Sequence, residues 1–349
     1  MRVLVVILNW NGSADTLACL DALEGRTHPD ADVLVIDNGS RPDDLARLRE
    51  RHAVRGGFAL HTEPRNLGFA GGVNVGIRRA QREGYDAVAL LNNDATPEPG
   101  WLAALDAALE RSGAAIATGL LLRASDDPAV HGTIDTAGDC LSIWGMPFPR
   151  GRDDARAAAP AGGPVFAASG GASLYRTTLF DEIGGFDETF FAYFEDVDLS
   201  FRARLAGHGI VYEPAAVAYH RIGATSDRIP GFTVRQTFKN LPLLLVKNVP
   251  RGLRGRMWPR FALLFAMMLG KTIARGQARH SLGGLFAGIR LVATHGIRER
   301  RRIQSARVAT AAEIDALLWH DLPPAQDGMR RLLAPVRAVR RRLSPARRG

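Results

Sequence analysis

Residues 3–12 read VLVVILNWNG, a short apolar run that ends in a polar turn. The run has six aliphatic residues. It is too short for a signal peptide, and far from the roughly 20 residues that span a bilayer. Its length and β-branched content are instead typical of a buried strand. We therefore predict that the chain starts with a strand, and that Asn9 and Asn11 lie at the carboxyl end of this strand.

Downstream, short β-branched runs alternate with amphipathic stretches as far as residue 121. This alternation favours an α/β fold, a mostly parallel, doubly wound sheet with helices on both faces. Further strands are predicted at 33–37, 58–62, 87–91 and 114–121, and helices at 14–23, 43–51, 71–82 and 101–111. Residues 124–164 lack periodicity and predict a long, partly irregular insertion. Beyond it, strands are predicted at 165–168, 173–175 and 217–219, and helices at 177–183 and 195–205.

Charge divides the chain into two unequal parts. Residues 1–230 carry 21 basic and 31 acidic side chains, a net charge of −10. Residues 231–349 carry 24 and 5, a net charge of +19. This asymmetry indicates parts with different electrostatic partners. The predicted organisation is an α/β domain over 1–230, a basic amphipathic helical region over 231–322 and an Arg-rich flexible tail over 323–349.

The basic region has two open interpretations. Pro242, Pro250 and Pro259 predict short helical segments, since proline interrupts a helix. A later segment has an apolar stripe, formed by Leu282, Leu285, Phe286, Ile289 and Val292. The region either lies on an anionic membrane surface, with arginines on lipid phosphates, or packs on the α/β domain. Nucleic-acid binding is disfavoured, because no aromatic residues alternate with the arginines to stack on bases.

Polar residues follow the predicted strands, at the edge where doubly wound sheets bind ligands. Asp37 ends the second strand and is either a turn residue or a carboxylate that contacts a nucleobase or a ribose. Gly68, Gly71 and Gly72 lie at the start of a helix, where they either mark a turn or let the backbone approach a diphosphate. Taken alone, neither feature distinguishes a nucleotide site from ordinary turns.

Two further strand ends carry groups that can hold a metal ion. Asp94 follows the fourth strand, after Asn92 and Asn93. It either caps the next helix or holds a divalent cation against a diphosphate, with one of the asparagines on the ribose. His220 ends the last predicted strand, either as a structural group or as a second metal ligand.

The densest cluster of candidate groups opens the helix predicted at 195–205. Glu195, Asp196 and Asp198 begin that helix, and the helix dipole alone accounts for acids at this position. The dipole does not account for the aromatic residues just before them, Phe190, Phe191, Tyr193 and Phe194. An apolar surround raises the pKa of a carboxylate and suits it to act as a general base near neutral pH.

In this order, the motifs resemble those of the family-2 inverting glycosyltransferases of GT-A fold, and within them the bacterial rhamnosyltransferases. The motifs are NWN at 9–11, DNGS at 37–40, NLGFAGGVN at 66–74, NND at 92–94, FEDVDL at 194–199 and His220. The match covers residues 1–225. The resemblance implies a GT-A, Rossmann-like fold and an enzyme that transfers a sugar from a nucleoside diphosphate donor.

The resemblance also implies roles for individual residues. Asp196 would be the catalytic base, with Glu195 beside it. Asn92-Asn93-Asp94 stands where the family has its DXD motif, so Asp94 and His220 would bind Mg²⁺ or Mn²⁺. Asn92 replaces the first acid of that motif, which leaves one carboxylate there for the metal. The donor site would include Asn9, Asn11, Asp37 at the nucleobase, Asn66, Gly71, Gly72, Asn92, Asn93 and Gly171.

The implied reaction inverts the anomeric configuration. Asp196 would take the proton of an acceptor hydroxyl, whose oxygen attacks the anomeric carbon opposite the diphosphate. The expected donor is dTDP-rhamnose, with a UDP-hexose or UDP-galactofuranose as the alternative. The expected acceptor is a glycan or a lipid-linked saccharide in cell-envelope polysaccharide synthesis. A nucleotidyltransferase is disfavoured, because no Gly-rich basic loop follows the first strand.

The expected location is cytoplasmic and peripheral, at the inner face of the plasma membrane. Two cysteines occur, Cys19 and Cys140, far apart and without the spacing of a metal site. This usage agrees with a reducing compartment.

Overall fold

The computed structural model describes residues 1–24, 28, 30–221, 223 and 229–324. The predicted tail lies outside the described residues from position 325 onward. The strands are β1 (Val3–Asn9), β2 (Ala31–Asn38), β3 (Ala59–Glu63), β4 (Ala87–Asn92), β5 (Ala95–Pro97), β6 (Ile116–Arg123), β7 (Ile134–Thr136), β8 (Asp139–Leu141), β9 (Pro147–Pro149), β10 (Gly163–Pro164), β11 (Ala172–Arg176) and β12 (Ile210–His220). The helices are α1 (Ser13–Leu23), α2 (Pro42–Arg55), α3 (Gly68–Glu83), α4 (Trp101–Ser112), α5 (Thr177–Ile183), α6 (Glu195–Leu205), α7 (Phe232–Asn248), α8 (Arg251–Ala274), α9 (Ala278–Leu291), α10 (Ile297–Ser305) and α11 (Ala311–Leu317).

The central sheet has the strand order β10-β12-β6-β11-β4-β1-β2-β3, with β5 on β12 and β7 on β6. Strand β1 runs parallel to β2 and β4, β2 parallel to β3, and β6 parallel to β12. Strand β11 is antiparallel to both β4 and β6. The predicted fold class, a mostly parallel α/β sheet followed by a helical extension, is confirmed.

Strand β1 lies at the centre of the core, because both of its faces are covered. Leu4 and Val6 pack on the side of α3, whereas the alternate residues of β1 pack on the side of α1 and α4. A Cβ added at Gly72 or Gly76 of α3 would lie 2.4 Å from Leu8 or 2.6 Å from Val6. These glycines therefore let α3 approach β1 closely, and Gly72 has a packing role.

Three local predictions were wrong or incomplete. Residues 165–168 do not form a strand, and Ala167 makes only an isolated bridge to Asp139. Strand β12 is longer than predicted, and its register against β6 shifts between Glu213 and Val217. The insertion at 124–164 holds four short strands, β7 to β10, which have too few residues to show a period.

The basic region forms longer helices than its prolines predicted. Pro242 lies inside α7 and Pro259 inside α8, whereas Pro250 does separate the two helices. Burial explains the difference, because an interior proline costs less than exposing the apolar residues around it. A shared core joins α6 to α7 and α8, and contains Val197, Phe201, Leu205, Leu241, Leu244, Met257 and Phe261. Among the described residues, no helix is long and apolar enough to cross a membrane.

Candidate active site

A cavity of about 830 Å³ opens beyond the carboxyl ends of β1 and β4. Polar strand-end residues line one side of it, and the start of α6 lines the other. The cavity brings together eight of the predicted site residues: Asn66, Asn92, Asn93, Asp94, Gly171, Glu195, Asp196 and His220. Residues that are more than 100 positions apart in sequence thus face one space.

Asp94 and His220 meet because β5 pairs with the end of β12. His220 lies opposite Ala95 in this pairing, and its Nε2 is 3.3 Å from Asp94 Oδ1. Its Nδ1 lies 2.8 Å from Asp135 Oδ2. Burial disfavours a charged imidazole, but the hydrogen bonds to Asp135 and Asp94 outweigh it and raise the pKa of His220 to about 10.

The chemistry of this pair fits a divalent cation. With Nδ1–H donated to Asp135, Nε2 of His220 faces Asp94 and the cavity, where a bound cation would take the place of the Nε2 proton, as in many metal-bound histidines. One carboxylate and one imidazole suit Mg²⁺ or Mn²⁺ when phosphate and water oxygens complete the coordination. In the described part of the chain, no group of three or more acidic, His or Cys side chains has metal-binding geometry. The protein thus offers the pair rather than a closed cage.

Two carboxyl groups at the start of α6 differ in their surroundings. Asp196 accepts hydrogen bonds from the backbone N–H of Gly170 at 3.0 Å and of Val197 at 2.8 Å, while burial raises its pKa. Glu195 is 6% exposed, and its Oε2 has no hydrogen-bond partner among the described residues. Burial and the charge of Asp196 raise the pKa of Glu195 to about 8. Glu195 therefore keeps its proton to a higher pH than a free carboxyl group, and Asp196 is the better hydrogen-bonded carboxylate.

Asp198 does not line the cavity and instead forms a buried ion pair. It is fully buried, and Arg202 Nε lies 2.9 Å from its Oδ2. Arg202 also donates to the carbonyls of Ile183 and Gly185. Through these bonds, Arg202 holds the turn at 183–185 onto α6.

The aromatic residues before α6 divide into two groups. Phe191, Tyr193 and Phe194 line the cavity, whereas Phe190 is fully buried in the core. Phe232 of α7 extends the cavity wall, with its ring centroid 6.2 Å from Phe191 and 6.0 Å from Tyr193. The wall is therefore built jointly by the α/β part and the basic part.

The insertion supplies cavity residues that sequence reasoning missed. Asp139 on β8 and Phe148 on β9 line the cavity, as does Arg152, which pairs with Asp135. Burial and the charge of Asp196 raise the pKa of Asp139 to about 7. No local pattern marks these residues, because only the folding of the insertion brings them to α6. Asn38, another missed residue, is the last residue of β2 and lies inside the DNGS motif at 37–40.

Five predicted donor residues do not line this cavity: Asn9, Asn11, Asp37, Gly71 and Gly72. Asn9 is fully buried and donates to Asp37 Oδ1 and Asp44 Oδ2, both at 2.9 Å. Asp37 also accepts from the backbone N–H of Ser40 at 3.2 Å. These bonds fasten the turns after β1 and β2, and the predicted contacts of these residues with a donor stay predictions.

The family model for "Glycosyl transferase family 2" matches residues 4–184. The N-acetylglucosaminyl-diphospho-decaprenol L-rhamnosyltransferase of Mycobacterium tuberculosis is 30% identical over 297 residues, 79% of this chain and 95% of the relative. Among solved structures, the mannosyltransferase PcManGT of Pyrobaculum calidifontis, in complex with GDP-Man and Mn²⁺, has a TM-score of 0.52 at 15% identity. It covers 91% of this chain and 87% of its own. S. aureus TarS has a TM-score of 0.53 at 14% identity, with 91% and 89% covered. The family and GT-A fold that the motifs predicted are confirmed, and the chain belongs to glycosyl transferase family 2, the glycosyltransferases.

Proposed function

We propose that this glycosyltransferase moves a rhamnosyl residue from dTDP-rhamnose to a lipid-linked saccharide, with inversion, in cell-envelope polysaccharide synthesis. The observation that carries the proposal is the joint cavity, in which the Asp94–His220 pair and the Asp196 carboxylate face one space. The sugar and the diphospho-lipid acceptor are supported by the name of the M. tuberculosis relative.

Asp196 acts as the general base in this proposal. The acceptor hydroxyl lies beside its carboxylate, and Asp196 takes the hydroxyl proton as the oxygen attacks the anomeric carbon. The bond from that carbon to the diphosphate breaks on the opposite face, so the configuration inverts. The N–H groups of Gly170 and Val197 keep the Asp196 carboxylate oriented. Protonated Glu195 adds no second charge beside the base.

Asp94 and His220 would hold Mg²⁺ or Mn²⁺, which supplies positive charge for the leaving diphosphate. Asp135 accepts the Nδ1–H of His220 and so fixes the imidazole with Nε2 towards the cavity. Asn92 Nδ2 lies 3.2 Å from the same Nε2, so it stands where the ribose or the diphosphate would approach.

An exposed apolar stripe on α9 supports action at a membrane surface. Leu282, Phe286 and Ile289 are 36%, 67% and 56% exposed. The opposite side of α9 packs on α7. The contact is so close that a Cβ added at Gly284 would lie 2.3 Å from the carbonyl oxygen of Arg235. The exposed arginines at 275, 279 and 290 flank the stripe. Apolar residues among arginines suit the headgroup region of an anionic bilayer.

The release of nucleoside diphosphate from a panel of donors tests the proposal. The panel contains dTDP-rhamnose, UDP-glucose, UDP-galactofuranose and GDP-mannose, each with a polyprenyl-diphosphate-linked N-acetylglucosamine acceptor. We expect acceptor-dependent release from dTDP-rhamnose, and none above background from the Asp196→Asn variant. Release of nucleoside diphosphate from a uridine diphosphate donor alone would mean that the enzyme transfers the sugar of that donor and not rhamnose. Release that does not depend on the saccharide acceptor would contradict the proposed reaction.

A further inference from the structure

The segment just before α6 has an unusual backbone. Phe191, Tyr193 and Phe194 have φ angles of 66°, 69° and 71°. This left-handed conformation is rare for L-residues with large side chains, and it persists only where the surroundings impose it. Phe194 is also the N-cap residue of α6, directly before Glu195. The conformation of the strained segment therefore determines the orientation of the first turn of α6, which carries the catalytic acids.

Helix α7 supplies the contacts that hold this segment. Asn240 Nδ2 lies 3.0, 2.9 and 2.8 Å from the carbonyl oxygens of Phe190, Ala192 and Tyr193. Lys239 Nζ donates to the carbonyl of Thr189 at 3.1 Å and to that of Phe190 at 3.0 Å. Four carbonyls between residues 189 and 193 thus accept bonds from two neighbouring side chains of one helix.

Burial makes these bonds hard to replace. Asn240 is fully buried, and Gln236, which donates to Phe190 at 3.3 Å, is 5% exposed. A buried carbonyl that loses its donor cannot form a hydrogen bond with water instead. Its loss therefore costs the desolvation free energy of a polar group. Packing alone would not select amide and amine groups here, because leucines elsewhere on α7 already bury the helix against α6.

We propose that Gln236, Lys239 and Asn240 form a loop clamp, a set of positioning residues that hold the catalytic loop in its active conformation. The clamp acts through the backbone of 189–194 on Asp196 and on the aromatic wall of the acceptor side. The proposal rests on the role of Asp196 as base, but the effect of the clamp on the loop can be measured without substrate. The clamp makes α7, the first helix of the basic part, a component of the active site.

The test compares Asn240→Ala with Leu243→Ala in the full chain. Leu243 is a fully buried residue of the same helix whose side chain packs beside Gly296, away from the loop. Both variants remove buried groups and lower the melting temperature. For Asn240→Ala we expect kcat to fall about 10²-fold, since a displacement of about 1 Å at a catalytic group has that effect. The Kd for the nucleoside diphosphate should change by less than about threefold, as should kcat of Leu243→Ala.

Hydrogen exchange separates the clamp from the assigned reaction. Amides of 189–197 should exchange faster in Asn240→Ala and remain protected in Leu243→Ala. Faster exchange without a loss of kcat would show that these contacts protect the loop but do not position Asp196, and would overturn the positioning role; the base itself is tested separately by Asp196→Asn. Unchanged exchange in this segment would overturn the clamp itself.

A second pair of variants covers the case in which Asn240→Ala fails to fold. Lys239 is partly exposed, so its replacement should be tolerated. Lys239→Met should lower kcat about tenfold, and Lys239→Arg, which keeps donors at the same place, should recover most of it. Equal activity of the Met and Arg variants and the parent chain would remove Lys239 from the clamp.

Discussion

The acidic and the basic parts of this chain differ in charge, but they share one core and one cavity. Residues 1–230 have a net charge of −10 and residues 231–349 one of +19. Helices α6 and α7 nevertheless bury their apolar side chains together, and Phe232 and Thr233 line the cavity with Asp196. The change of charge at residue 230 therefore does not mark the limit of the folded unit, which is set by apolar burial.

A buried ion cluster lies where the two parts meet. Lys247 of α7 is 1% exposed and pairs with Asp187 and with Asp198, the latter at 2.9 Å. His295 Nε2 lies 2.9 Å from Asp187 Oδ2. Burial opposes the charge of Asp187, but Lys247 holds the pKa of that carboxyl well below its usual range. Opposite charges from the two parts thus neutralise one another at the buried junction.

The largest expected effect concerns the acidic part alone. Asp196→Asn keeps the shape of the side chain but removes the proton acceptor, so kcat should fall by about 10³ to 10⁴. Donor binding should persist, because the Asp94–His220 pair is untouched. Nucleoside diphosphate release gives kcat, and calorimetric titration of the donor gives Kd. Turnover close to that of the parent chain would remove Asp196 from the mechanism.

Lys247→Met tests the junction between the two parts. It leaves Asp187 and Asp198 buried beside an uncharged side chain, which should lower the free energy of unfolding by about 3–5 kcal/mol. Chemical denaturation at pH 7 measures the change. Lys271→Met, at an exposed position of α8, is the matched control and should have little effect. Similar stability of both variants would mean that the cluster does not hold the parts together.

The pH dependence of activity sharpens the assignment of the acidic pair. Glu195 has a raised pKa of about 8, so it is protonated below that pH and becomes a second negative charge beside Asp196 above it. We expect kcat/KM to fall roughly tenfold per pH unit above this value. A Glu195→Gln variant, which cannot ionise there, should keep its rate to higher pH. An identical alkaline limb in both proteins would assign the ionisation to another group.

The smallest expected effect concerns the outer face of the basic part. Phe286→Ser removes the aromatic ring of the stripe, which is 67% exposed, and should weaken binding to vesicles of anionic phospholipid about tenfold. Val54→Ser is the control, since Val54 is 76% exposed but lies on α2 of the acidic part. Co-sedimentation with vesicles measures both. Equal binding by the two variants would leave the stripe without a lipid role.

Local patterns were sufficient for much of the fold and of the site. The run at 3–8 and the similar runs after it correctly predicted β1, β2, β4 and β6, because strands buried on both faces need continuous apolar residues. Asn92, Asp94 and His220 could be selected because parallel strands bring their carboxyl ends to one edge. Asp196 was selected by the aromatic residues before its helix and by the motif at 194–199. Proline positions misled, because the cost of a proline is local and the burial that offsets it is not.

The amino-acid sequence by itself determined the strands and helices as far as residue 121, the family, the charge division and the candidate acids. Each of these depends on neighbouring residues or on a motif. Only the tertiary structure decided that α7 completes the cavity and that Asp139 reaches it from the insertion. It also decided that Lys239 and Asn240 hold the loop before α6. These contacts join residues that are far apart in sequence. They arise from packing in three dimensions, and no local sequence pattern predicts them.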